Sequence, residues 1–225
     1  MAAHIGVVLF PGSNCELDAV EGVQALGGTA DIVWHGDSSL AGYDAVIVPG
    51  GFAHGDYLRP GAIARFSPIM GAVAEFAAAG GPVVGICNGF QVLTEAGLLP
   101  GALQKNAGLK FLCTTATLRV ESTNSVLTSA ARVGQELRVP INHFEGNYTC
   151  SPETLAELRA NDRVVLTYVE NLNGSLESIA GVCNEGRNVV GLMPHPERAI
   201  SDLLGSSDGR VLLQGLVESA AVAAA

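Results

Sequence analysis

Short, nearly uninterrupted apolar runs recur along this chain, and each stops at glycine or proline. Ile5 to Phe10 ends at Pro11-Gly12, Ala45 to Val48 ends at Pro49-Gly50-Gly51, and Val83 to Ile86 ends just before Cys87-Asn88-Gly89. The runs are too short for core helices and lack the alternation of a half-exposed strand. Strands buried on both faces fit them, and such strands belong to parallel sheets covered by helices on each side.

The intervening segments supply those helices. Glu16 to about Leu26 reads as a helix with Leu17, Val20 and Val23 or Gln24 on one side, Ser13 or Asn14 as its cap and Gly27-Gly28 as its stop. Ala30 to Trp34 is a further strand. Ile69 to Ala79 and Gly89 to Ala96 are helical. In the second half strands dominate: Leu112 to Glu121, Glu136 to Ile141, Val164 to Val169, Ser178 to Cys183 and Asn188 to Leu192, with helices only over Pro152 to Ala160 and Gly209 to Ala221. This half extends the sheet and adds antiparallel strands. The closing alanine-rich residues, Ala220 to Ala225, read as a frayed helix end. No linker, repeat or low-complexity stretch interrupts residues 1–225, which are expected to form one domain.

Composition narrows the classes. With 48% hydrophobic residues the chain can bury a core, which excludes a disordered segment. A net charge of −10 argues against a nucleic-acid groove, which needs clustered Lys and Arg. The start lacks the basic region and apolar stretch of a secretion signal, and no apolar run approaches the roughly 20 residues that span a bilayer. Five cysteines, an odd number with no C-x-x-C pair, point to reduced thiols in a cytoplasmic protein and away from a disulfide scaffold or a zinc site.

The strongest chemical signal lies in Gly85-Ile86-Cys87-Asn88-Gly89. A buried strand ends at Cys87 and a helix begins at once, with a glycine two residues to each side. This is the nucleophile-elbow pattern, with Cys in place of Ser. Helix N-terminal polarity favours a thiolate there, and the N–H of Asn88 points toward a developing oxyanion. The plainer reading is a core cysteine. Cys15, also after a strand, lacks the glycine frame and reads as structural. Cys113, Cys150 and Cys183 read as packing residues.

A thiol nucleophile needs a base, and the base needs an orienting group. His195 follows a short apolar strand, and Glu197 stands two residues on. If Pro196 keeps the chain extended, both side chains share one side. His143 and Glu145 have the same spacing, also after a strand, and spacing alone does not choose between the pairs. The plainer reading of the His195 segment is a surface loop whose prolines shape a turn. Gly50-Gly51, after the run ending at Val48, can expose a second oxyanion donor; an ordinary turn is equally consistent. No nucleotide-binding glycine fingerprint is present.

Together these segments resemble the class I (triad-type) glutamine amidotransferases, through Pro49-Gly50-Gly51, Gly85-x-Cys87-x-Gly89-x-Gln91 and His195-Pro196-Glu197, in that order. The likeness is greatest to one branch, the glutaminase subunits of phosphoribosylformylglycinamidine synthases of purine biosynthesis. It rests on Pro11-Gly12-Ser13-Asn14-Cys15, Gly55-Asp56-Tyr57-Leu58-Arg59, Gly61 to Phe66, Gly97 to Gly101, Asn173-Gly174-Ser175 and Met193 to Arg198. Asn88 and Phe90, where many of the wider class differ, suit this branch.

The resemblance implies an α/β fold: a flavodoxin-like open sheet, mostly parallel, with helices on both faces and an added antiparallel section. It implies Cys87 as nucleophile, His195 as base and Glu197 as its orienting partner, and so chooses His195 over His143. It implies oxyanion donors at Gly51 and Asn88, and substrate contact from Gln91. Glutamine is the implied substrate. The implied partners are a large synthetase subunit, which uses ATP and magnesium, and a small third subunit. No cofactor or metal is expected in this chain. The Gly55 to Arg59 segment is a candidate docking surface. Two rivals are a cysteine hydrolase or chaperone of the intracellular-protease-like superfamily, which usually has His directly after the cysteine, and a non-enzymatic assembly subunit.

Overall fold

A computed structural model describes residues 2–223. Its centre is a nine-stranded sheet. Strands β1 (His4–Leu9), β2 (Thr29–Trp34), β3 (Ala45–Val48), β4 (Val83–Ile86) and β11 (Val189–Leu192) form its parallel part, in the order β2-β1-β3-β4-β11. This is the flavodoxin-like order, reversing direction between β1 and β3. Every residue of β3, β4 and β11 is buried, as expected of strands covered on both faces. Beyond β11 the sheet continues antiparallel through β10 (Ile179–Cys183), β9 (Val164–Tyr168), β6 (Leu112–Val120) and β7 (Glu136–His143).

The helices are α1 (Glu16–Gln24), α2 (Pro68–Ala78), α3 (Asn88–Glu95), α4 (Pro152–Ala160) and α5 (Arg210–Ala223). The alanines at 224 and 225, expected to fray, lie outside the described residues. Buried side chains from both halves form one continuous apolar cluster, from Ile5 and Val7 through Phe90 to Val139 and Leu216. No helix among the described residues is long and apolar enough to cross a membrane.

Some local expectations need correction. The helix cap at Ser13 or Asn14 does not form: Cys15 occupies the cap position of α1, without a side-chain bond. Ser13 Oγ instead accepts from the Phe10 N–H, tightening the turn before it. Leu17 does not face the core; it is 62% exposed, and Ala19, Gly22 and Val23 are the buried residues of α1. Cys113 is exposed, so it is not a packing residue. A second, two-stranded sheet was not expected: β5 (Ala102–Gln104) pairs antiparallel with β8 (Asn147–Thr149). It holds the fully buried Tyr148, whose ring stacks on Phe90 and whose hydroxyl donates to the Pro100 carbonyl at 2.9 Å.

Glycine sets the closest packing. A Cβ on Gly89 would lie 1.8 Å from the Val48 carbonyl oxygen, so α3 can approach β3 only without one. A Cβ on Gly85 would meet Leu93 at 2.6 Å and the Gly89 backbone at 2.7 Å. Gly89→Ala is therefore expected to destabilise the protein by about 3 kcal/mol, the upper end for an overpacked core. Gly71→Ala, in α2 with nothing within 4 Å of the added carbon, should stabilise it by about 0.5–1 kcal/mol. Urea unfolding of both variants beside wild type checks the contrast.

Candidate active site

Cys87 joins β4 to α3 with φ 51° and ψ −106°. A non-glycine residue in that region is strained, and such strain persists only where the surroundings enforce it. Two backbone bonds do so here: the Cys87 N–H donates to the Leu192 carbonyl at 2.8 Å, and its carbonyl accepts from the Gln91 N–H at 3.2 Å. The thiol thereby lines a cavity of about 270 Å³ beside Gly51, Asp56, Gln91, His143 and Glu145.

His195 follows β11, the neighbour of β4, and its N–H donates to the Pro140 carbonyl at 2.8 Å. Its Nδ1 lies 2.6 Å from Glu197 Oε1, with both side chains essentially buried. The chain between them is not extended, as alternation would require; Pro196–Arg198 is a single 3₁₀ turn, which folds the carboxylate back under the ring. Burial works against charge on the His195 imidazole. The negative charges of Glu197 and Cys87 together outweigh it, so its pKa rises well above the ordinary value. The remaining nitrogen, Nε2, is buried and has no protein partner.

His143 and Glu145, the competing pair, end at the same cavity but do not bond as a pair. Both ring nitrogens of His143 are buried and unpartnered, and burial with the nearby His195 pushes its pKa down to about 4. The Asn173-Gly174-Ser175 segment explains its own place in the sequence here. Asn173 Nδ2 donates to the Gly146 carbonyl at 2.8 Å, Ser175 Oγ donates to that oxygen at 3.3 Å, and Asn106 Oδ1 accepts from the Gly146 N–H at 3.1 Å. These buried bonds hold the turn that carries His143 and Glu145 against the cavity.

Gly51 has φ 140°, and an added Cβ would clash with Ser13 and Asn14 at 2.7 Å. Asn88 is buried. Its Nδ2 donates to Asp56 Oδ1 at 3.1 Å and Gln91 Oε1 at 2.9 Å, while its Oδ1 accepts from the Ala53 N–H at 3.0 Å. Gln91 Nε2 donates to the Glu145 carbonyl at 2.5 Å. Asp56, which the sequence did not single out for chemistry, has its pKa raised to about 6, by burial first and by the Glu145 charge second. Cys15 is also closer to the chemistry than its sequence context indicates. It sits beside His195 under Gly50, and Arg198, paired with Asp18, brings Nη2 to 3.2 Å from its sulfur. Cys15, His195 and Glu197 bring ligand-type atoms within 4.8 Å of one another. The guanidinium at the sulfur opposes a metal cation there.

The fold and this site define a class. Residues 2–210 match the family model described as the CobB/CobQ-like glutamine amidotransferase domain. A phosphoribosylformylglycinamidine synthase subunit PurQ of Rubrobacter xylanophilus is 57% identical, across 97% of this chain and all of that protein. The corresponding subunit of Koribacter versatilis is 53% identical, across 94% of this chain and 96% of that one. A chain in the structure of PurLQS from Thermotoga maritima superposes with a TM-score of 0.89 at 43% identity, covering 97% of this chain and 99% of that chain. A putative GMP synthase protein from Thermoplasma acidophilum shares the fold, at 18% identity and a TM-score of 0.68, across 99% of this chain and 96% of that one. The chain belongs to the glutamine amidotransferase family and, within it, to the PurQ subunits.

The buried neutral His143 has a consequence for stability. Unfolded, it takes a proton below its ordinary pKa of 6.5; folded, it resists until about pH 4. Between those values the unfolded chain binds the extra proton, so stability falls as pH falls. From pH 7 to pH 5 this one group should remove about 2 kcal/mol. Urea unfolding at the two pH values is expected to show a smaller acid loss in His143→Gln than in wild type, by about that amount.

Proposed function

We propose that this chain is the glutaminase subunit of a phosphoribosylformylglycinamidine synthase. The observation that carries the reading is the strained Cys87 on one cavity with the buried His195–Glu197 pair on the adjacent strand end. The Cys87 thiol gives its proton to His195 as its sulfur attacks the side-chain amide carbon of glutamine, and the carbonyl oxygen becomes an oxyanion. The N–H groups of Gly51 and Asn88 receive that charge. The C–N bond then breaks, His195 gives its proton to the leaving nitrogen, and a glutamyl thioester remains on Cys87. Water attacks the thioester with His195 as base, releasing glutamate and the thiol. Glu197 holds the imidazole in one orientation and offsets its positive charge. Gln91, tied to Asn88 and the Glu145 carbonyl, shapes the substrate side of the cavity.

The ammonia passes to a synthetase subunit that uses ATP and magnesium to convert formylglycinamide ribonucleotide to the amidine, with a small third subunit in the complex. The names of the relatives support these partners. At the cavity rim apolar side chains are exposed: Leu58 is 89% exposed, Phe52 is 47% exposed, and Tyr57, between Asp56 and Leu58 in sequence, is 74% exposed. Such a patch marks an interaction face, and we assign the synthetase to it. Arg59, at the same edge, is already paired with Glu95 through two bonds of 2.6 Å. The five free thiols fit the reducing cytoplasm.

Ammonia release from glutamine by the assembled complex tests the chemistry. Cys87→Ala and His195→Ala should each lose several orders of magnitude, and His143→Asn far less. A glutamine-analogue label should modify Cys87 and be blocked by glutamine. Wild-type turnover in Cys87→Ala, or labelling at Cys15 instead, would sink the mechanism. For the docking face, Leu58→Asp should weaken complex formation at least about tenfold, read by sedimentation or titration with the synthetase; unchanged affinity would remove Leu58 from the interface.

A further inference from the structure

The base touches more than its carboxylate. Two further side chains crowd the His195–Glu197 pair, and the hydrolytic steps use neither. Cys15 is the first. It stands at the cap position of α1, yet its side chain makes no capping bond, and the residue is only 2% exposed. Its N–H donates to the Gly50 carbonyl at 3.4 Å, which ties the loop after β1 to the loop after β3. Gly50 also marks where the sulfur lies: a Cβ there would stand 2.7 Å from His195 Cε1 and 3.1 Å from Cys15 Sγ. The sulfur and the edge of the imidazole therefore sit side by side over bare backbone. That sulfur, a His195 nitrogen and a Glu197 oxygen lie within 4.8 Å of one another.

Arg198 is the second. It follows Glu197 in the same 3₁₀ turn, and its Nε donates to Asp18 of α1 at 2.9 Å. Its Nη2 donates to Cys15 Sγ at 3.2 Å, while the thiol itself donates to Asn14 Oδ1 at 3.1 Å. The thiol thus acts as donor and acceptor at once, and the sulfur cannot turn from the ring without breaking one of these bonds. Cys87 lines the substrate cavity and Cys15 does not, so Cys15 is not a second nucleophile. The guanidinium on its sulfur opposes a role as metal ligand. What remains is support. The base sits at the start of a single 3₁₀ turn, an element with poor hydrogen-bond geometry of its own, and a small displacement of a reacting group is costly in rate.

We propose that Cys15, locked by Arg198 and Asn14, is a positioning residue for the base: its sulfur packs on the edge of the His195 ring and keeps the ring in one orientation while the proton passes to and from it. This rests on the glutaminase reading and deepens it. The catalytic pair is fixed by the loop after β1 and by α1, as well as by its own turn, and Arg198 carries that support from Asp18 to the sulfur.

Ammonia release from glutamine is measured for wild type, Cys15→Ala, Cys15→Ser, Arg198→Met and the double variant Cys15→Ala/Arg198→Met, each in complex with the synthetase subunits. Every rate is divided by the amount of Cys87 that a glutamine-analogue label modifies, so that unfolded protein does not count. Cys15→Ala should lower kcat about tenfold to a hundredfold, as for a misplaced catalytic group. KM should stay within about twofold of wild type, since the sulfur does not reach the cavity. Cys15→Ser keeps a donor for Asn14 and an acceptor for Arg198, and should recover most of the lost kcat. Arg198→Met should also lower kcat, and the double variant should be little slower than the slower single one, because the two residues act as a unit. A wild-type kcat in Cys15→Ala, a loss that appears in KM instead, or losses that multiply in the double variant overturn the assignment. A wild-type complex that releases no ammonia from glutamine overturns instead the reading on which it rests.

Discussion

Helix α3 can begin directly at the end of β4 because Gly89 has no side chain to strike the Val48 carbonyl. That contact fixes the geometry on which the site depends. With α3 pressed onto β3, the chain has no room for a loop between strand and helix, and Cys87 must take up the abrupt change of direction at positive φ. The sulfur is therefore projected from the sheet edge at a helix N-terminus, where unpaired N–H groups and the helix dipole favour negative charge. Gly85 lets Leu93 and the Gly89 backbone close over the strand from below. Two small residues thus convert an ordinary strand–helix junction into a buried nucleophile that lines a cavity.

The remaining groups converge because parallel strands all end on the same side. The loops after β1, β3, β4 and β11 carry Ser13, Gly51, Cys87 and His195, and strand order alone brings them together. Electrostatics then divides the cavity. On one side an imidazole and a carboxylate are buried as a hydrogen-bonded pair, so the charge on the ring is matched within the protein. On the other, Asp56 and Glu145 present like charges with no protein cation between them. The first side, with its matched pair, is suited to proton transfer.

Most of the parallel half was legible in the sequence because its strands are wholly buried. Continuous apolar runs closed by glycine or proline leave few alternatives, and the elbow glycines have a steric reason that spacing exposes. What escaped depended on distant contacts. The strands Ala102–Gln104 and Asn147–Thr149 are too short to show a period. The His195–Glu197 bond was foreseen for a different reason from the one observed, since a 3₁₀ turn and not an extended chain aligns it. Asp56 and Cys15 gave no local signal. Asp56 matters through Asn88 and Glu145, far from it in sequence, and Cys15 through a histidine that the sheet brings beside it.

The antiparallel section therefore does more than widen the sheet. Strand β7 ends at His143, and the buried bonds from Asn106, Asn173 and Ser175 stop the following turn from relaxing into solvent. Without that turn the thiol edge would be an open shelf of the kind any sheet of this order presents at its switch point. With it, the shelf becomes a cavity whose far wall has its own polarity. Nucleophile and base belong to the parallel strands; the enclosure that gives the substrate one orientation comes from the turn after β7. A change in the Asn173 segment would act on the chemistry only through that wall, by moving Glu145 and His143 relative to a thiol held fixed by β4 and α3.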